Sequence, residues 1–143
     1  MTAKANIEIV TPDALLEKVR ALRDQGYRLV QIGAARLPES MELTYSFDLE
    51  NRLANLRLNL PLDQPRLPSI SSIYKCVLLY ENEIHDLFGI QVDGMAVDFH
   101  GNLYKTAIKH PFATLKAPRV TAAAEPKPSG PPKSAGPPKP ATT

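Results

Sequence analysis

Tryptophan is absent from this 143-residue chain, aromatic residues make up only 6% of it, and Cys76 is its one cysteine. Any core must therefore rest on Leu, Ile and Val. One thiol excludes an internal disulfide and any cysteine cluster for zinc or iron–sulfur, and it fits a reducing cytoplasm. Charge of one sign is also scarce. The net charge is +2, with Lys and Arg mixed among acids, so the concentrated basic stripe of a nucleic-acid binder is missing and no nucleic-acid partner is expected. No apolar run approaches the roughly 20 residues needed to span a bilayer. Met1 to Val10 lacks the basic start and apolar stretch of a signal peptide, so membrane contact is expected only through a partner. There is no Gly-rich phosphate loop, nucleophile elbow or dinucleotide fingerprint.

What is present is patterned. Thr11-Pro12-Asp13 opens a helix: Thr11 is placed to cap free N–H groups, Pro12 suits the first turn and Asp13 suits the positive end of the dipole. Leu15, Val19 and Leu22 share a face, and Gly26 is placed to end the helix. A strand follows over Tyr27–Ala35. The clearest strand is Met41–Leu49, where Met41, Leu43, Tyr45, Phe47 and Leu49 alternate with polar residues, giving one apolar and one wet face. Glu50-Asn51 is a turn, and Leu56, Leu58 and Leu60 mark the hairpin partner. Residues 61–68 hold three prolines and are expected to form a loop. Ser69, Ser71 or Ser72 is expected to cap a second helix running to Phe88, stopped by Gly89. Short strands are expected near Gln91 and Val97–Phe99, with turns at Asp93-Gly94 and at His100-Gly101-Asn102.

The expected fold is α+β, a two-layer sandwich with two main helices on one face of a mostly antiparallel sheet, in the order helix, three strands, helix, short strands. It occupies residues 1–115. Residues 116–143 hold eight of the 14 prolines, with Ser-Gly-Pro-Pro-Lys at 129–133 echoed by Ala-Gly-Pro-Pro-Lys at 135–139. That composition predicts a disordered or polyproline-like tail, serving as a tether or as a segment for an acidic partner.

The second helix carries most of the chemistry-bearing residues. At about 100° per residue, Ile73, Val77, Tyr80, Ile84, Leu87 and Phe88 form a core-facing stripe, with Cys76 at its border as a small buried apolar residue. Tyr74, Leu78 and Leu79 lie off that stripe and, with His85, make a candidate partner-docking surface. Glu81 and His85 have a spacing that suits one shared ion or proton, and Glu83 and Asp86 lie three apart. Two such ligands are too few for a tight transition-metal site, and nothing requires His100 or His110 to join them. A small independent metal-binding protein or enzyme using Glu81, His85 and Asp86 is thus an alternative, but no catalytic, cofactor or metal residue is assigned.

Glu81-Asn82-Glu83-Ile84-His85-Asp86-Leu87-Phe88-Gly89-Ile90 resembles the signature Glu-Arg-Glu-x-x-Asp-x-Phe-Gly-Ile of the 30-kilodalton (NuoC-type) subunit of respiratory NADH dehydrogenase, complex I. Leu67 to Tyr74 is similar to that family's approach to the helix. Asn82 stands where the signature has Arg, and the family's longer His-Pro-Asp-Leu-Arg-Arg continuation is missing. The short ending, Val97 to Lys105 and then His110-Pro111-Phe112, resembles instead the corresponding subunit of energy-converting, membrane-bound nickel–iron hydrogenases (the Ech type).

The resemblance implies a non-catalytic assembly subunit with no cofactor of its own. It would dock on a large subunit of nickel–iron or quinone-site type, on the cytoplasmic side of the membrane. The complex would pass electrons from ferredoxin to protons, coupled to ion translocation, with iron–sulfur clusters and a nickel–iron centre on its partners. The alternative branch is complex I itself. Glu81, Glu83, Asp86, Phe88 and Gly89 would be structural or interface residues, the acids ordering the turn after the helix and meeting basic groups of the large subunit.

Overall fold

The structure, a computed structural model, describes residues 6–114; the tail expected at 116–143 lies outside the described residues. The elements are β1 (Asn6–Ile9), α1 (Pro12–Asp24), β2 (Arg28–Arg36), β3 (Met41–Leu49), β4 (Arg52–Leu60), β5 (Arg66–Pro68), a 3₁₀ turn (Lys75–Val77), α2 (Leu78–Phe88) and β6 (Gln91–Asp93). This is the expected α+β arrangement, with α1 and α2 contributing to one core on one face of the sheet.

The main sheet has the order β1-β4-β3-β2. The β3–β4 hairpin turns on Glu50 and Asn51, both with positive φ (49° and 65°), which matches the twist of the flanking strands in a two-residue turn. Its register pairs Met41 with Leu60, Leu43 with Leu58 and Tyr45 with Leu56, and all six side chains are buried. The opposite face is polar: the Ser46 hydroxyl bonds Asn55 at 2.7 Å and Arg28 pairs with Asp48 at 2.9 Å.

Five expectations change. β1 runs parallel to β4, so the sheet is mixed. All four of its residues are exposed, which leaves no alternating pattern to reveal it. Residues 66–68 do not stay in the loop: β5 pairs in parallel with β6 as a second, two-stranded sheet. Val97–Phe99 is not a strand, because the Val97 carbonyl and the Phe99 N–H are taken by a side chain of α2. The second helix begins at Leu78, preceded by the 3₁₀ turn, and no serine caps it. At α1, Thr11 has the extended backbone of a cap but makes no side-chain cap bond; its carbonyl accepts the Ala14 N–H at 3.1 Å.

Candidate functional site

The residues of interest radiate from α2, and each side of that helix holds a different piece of chain. Glu81 points inward and is fully buried. Its Oε1 accepts the Ile70 N–H at 2.8 Å and its Oε2 accepts the Ser69 hydroxyl at 2.6 Å. The Ser69 and Ser71 hydroxyls are bonded at 2.8 Å, and Ser71 Oγ accepts the Ala96 N–H at 3.0 Å. The serines do not cap the helix because it begins only at Leu78; the Ser69 hydroxyl instead helps to satisfy a buried carboxyl group, and Ser71 braces Ser69.

Burial raises the Glu81 pKa above its ordinary value, while the Ser69 hydroxyl and the Ile70 N–H pull it back down. Burial, and secondarily the Glu81 charge, push the Tyr45 hydroxyl up as well. That hydroxyl has no hydrogen-bond partner among the described residues.

Asn82 is also fully buried. Its amide donates to the carbonyls of Leu78 (2.7 Å) and Val97 (2.9 Å), and its oxygen accepts the Phe99 N–H at 3.0 Å. A side chain of fixed shape with both donor and acceptor does what a guanidinium, donor only, cannot. Asp86 is buried; its Oδ2 accepts the Tyr104 N–H at 2.9 Å and its Oδ1 lies 3.2 Å from His85 Nδ1. His110 Nδ1 donates to the Asp86 carbonyl at 3.1 Å, and its ring meets that of His85 edge-on at 5.7 Å.

Phe88 packs on Phe112 with ring centroids 5.5 Å apart. Gly89 ends the helix at φ 72°, and a Cβ there would stand 3.2 Å from the His110 ring. Both the left-handed backbone and this close approach favour glycine. The motif residues therefore stitch residues 69–71, 96–99, 104 and 110–112 onto one helix.

The flank of α2 facing away from this network is different. Leu79 is 56% exposed. It lines an open groove of about 610 Å³ between α2 and β2, with Leu29, Val30, Tyr80, Leu103 and Tyr104. Glu83 and Cys76 also line it. Cys76 is exposed, not the buried small residue its place on the helical wheel suggests, because the segment before Leu78 does not follow the α-helical period. Glu83 makes no ion pair among the described residues.

Leu78 and His85 are half-buried. Tyr74 is taken up by the chain's own packing: its hydroxyl donates to the Tyr27 carbonyl at 2.6 Å and its ring lies 5.6 Å from Phe47. Glu81, His85 and Asp86 do not converge, since Glu81 turns to Ser69 while His85 and Asp86 face one another. Among the described residues no group of three or more His, Cys, Asp or Glu is placed to hold a metal ion. Sequence reasoning missed Ser69, Ser71 and Asn82 as partners in this network. For the serines the signal was faint: three hydroxyls, Ser69, Ser71 and Ser72, inside the otherwise apolar segment Leu67–Ile73.

Known proteins share this architecture. The family model described as the 30-kilodalton subunit of the respiratory-chain NADH dehydrogenase matches residues 9–114. Among solved structures, a chain of the membrane-bound sulfane sulfur reductase, an archaeal respiratory membrane complex, superposes with a TM-score of 0.66 at 23% identity, covering 76% of this chain and 67% of that one. The trypsin-resistant fragment 1–134 of Nqo5 superposes with a TM-score of 0.59 at 20% identity, covering 68% of this chain and 85% of the fragment.

Proposed function

The chain belongs to the family of the respiratory-chain NADH dehydrogenase 30-kilodalton subunit, and from that membership we propose that it is a non-catalytic structural subunit of a membrane-associated, energy-converting nickel–iron hydrogenase complex. In this reading it docks on the large subunit, and the iron–sulfur clusters and the nickel–iron centre belong to its partners. The complex transfers electrons from ferredoxin to protons and couples this to ion translocation. No helix among the described residues is long and apolar enough to cross a membrane; the subunit would be held peripherally, on the cytoplasmic side, by its neighbours.

One observation carries the structural role. The polar residues of the motif helix are consumed by the chain's own backbone, whereas its apolar Leu79 and the acid Glu83 face an open groove. The groove offers apolar surface for burial and one carboxylate for a basic group of the large subunit.

The hydrogenase branch rests on the resemblance of Val97 to Lys105 and of His110-Pro111-Phe112 to the corresponding hydrogenase subunit; His110 and Phe112 pack against the end of α2. The second reading, a subunit of an NADH–quinone oxidoreductase, is favoured by the matching family description itself. Purifying the tagged full-length chain from the source membrane, with identification of co-eluting chains and analysis for nickel and iron, separates them. A nickel-containing large subunit supports the hydrogenase. Quinone-site subunits without nickel transfer the chain to the second reading. Recovery of the chain alone contradicts both.

A further inference from the structure

The groove beside α2 has a definite chemistry. β2 contributes Leu29 and Val30, α2 contributes Leu79 and Tyr80, and the C-terminal segment contributes Leu103 and Tyr104, with Glu83 as the acid. Aromatic and apolar grooves containing an acid suit polyproline segments with a basic flank. Such segments are already extended, so little conformational freedom is lost on docking, and the acid fixes the orientation of the basic residue.

The chain itself contains such a segment. Residues 115–143 carry five Lys or Arg and one Glu, and Pro-Pro-Lys occurs twice, at 131–133 and 137–139. The remainder of the chain has 12 basic and 14 acidic residues, so a basic tail accompanies a mildly acidic body. The reach is sufficient. The Ala113 carbonyl accepts from Arg36 Nε at 2.9 Å, at the opposite end of β2 from Val30, and six strand residues separate those ends by about 20 Å. From Thr114 to Pro131 an extended polyproline path spans about 50 Å.

We propose that residues 129–139 of the chain occupy the groove between β2 and α2, covering the surface offered to the large subunit until that subunit displaces them. The displacement clause rests on the docking reading above; the occupancy does not. Being on the same chain gives the segment an effective concentration near the millimolar range, so even a weak site with a dissociation constant of a few tenths millimolar would be covered about four-fifths of the time.

Cys76 is the only thiol, is exposed and lines this groove, which makes it the reporter. The experiment compares the rate of Cys76 modification by a small maleimide in the full-length chain and in a full-length variant carrying Pro131→Ala, Pro132→Ala, Pro137→Ala, Pro138→Ala, Lys133→Glu and Lys139→Glu. Circular dichroism and Tm verify that both are folded alike. The native chain is expected to react about fivefold more slowly than the variant, with a ratio independent of protein concentration.

Equal rates overturn the proposal. Protection that grows with protein concentration also overturns it, because it assigns the groove to a second copy. If rates are equal while the large subunit still co-purifies, docking stands and the tail occupancy alone falls. If the fivefold ratio is found but no large subunit co-purifies, the occupancy stands and the docking reading falls.

Discussion

The two helices solve the same problem in opposite ways. α1 buries Leu15 and Val19 and exposes Glu17, Arg20 and Arg23. α2 buries Glu81, Asn82 and Asp86 beside Ile84 and exposes Leu79. Apolar burial holds α1, at roughly 1.5–3 kcal/mol for each large side chain removed from water. α2 combines such burial with bonds from its polar side chains to backbone groups of three other segments. Bonds of that kind add little net stability while complete and cost much when one partner is removed. What they supply is position: they hold the chain after Gly89 against the helix and leave an apolar flank outside. A helix with ordinary patterning has no surplus apolar surface to offer a partner, and α2 has.

Substitutions that treat the two helices alike test this contrast most strongly. Leu15→Ala in α1 and Glu81→Ala in α2 are each expected to destabilise by about 3 kcal/mol, the first by leaving a cavity and the second by stranding the Ser69 hydroxyl and the Ile70 N–H. Denaturant unfolding measures both, and hydrogen exchange distinguishes them. Only Glu81→Ala should expose the amide of Ile70, and a uniform loss of protection in both variants would erase the distinction.

Asn82→Ala removes three hydrogen bonds from a buried site and should cost about 2 kcal/mol. Its loss of exchange protection should centre on Phe99. If Asn82→Arg proves as stable as the native chain, the role given to the amide is wrong.

A smaller effect comes with pH. Because burial raises the Glu81 pKa above the ordinary 4.5, folding favours the protonated carboxyl. The native chain should therefore gain stability relative to Glu81→Gln as pH falls from its folded-state pKa towards 4.5, then level off below. Rising pH reverses the gain. A stability difference between the two proteins that stays flat from neutral pH down to 4.5 contradicts the picture. Leu15→Ala in α1 should show no pH-dependent stability difference of this origin.

The same contrast explains what could be read in advance. Met41–Leu49 and its hairpin partner were legible because a period of two, a turn at Glu50-Asn51 and one wet face all agree. Gly89 was legible because a left-handed stop has few other candidates. α2 was only half legible. Helical periodicity assigns polar residues to the outside, and it has no means of seeing that the Ser69 hydroxyl and the Ile70 N–H, more than ten residues earlier, bond Glu81. Asn82 stood out only as a departure from the family's Arg, whereas its amide bonds both the Val97 carbonyl and the Phe99 N–H. β1 was hidden for a different reason: its pairing with β4 spans almost 50 residues and buries none of its own side chains. Of the expected docking residues, Leu79 lies on the open flank, while Tyr74 is bonded to Tyr27 within the fold.

Leu79→Lys should alter stability least, by less than about 0.5 kcal/mol, because the side chain is exposed. It should alter assembly most, because a charge would enter the apolar flank. Affinity purification of the full-length native chain and of Leu79→Lys from the source membrane, at matched expression and Tm, is the most direct test. The native chain should bring down the large redox subunit, and Leu79→Lys should lose most of it while remaining folded. Recovery of the same large subunit in equal amount with Leu79→Lys, or of the native chain with no redox subunit at all, would contradict the claim that this helix folds inward through its acids and docks outward through its apolar flank.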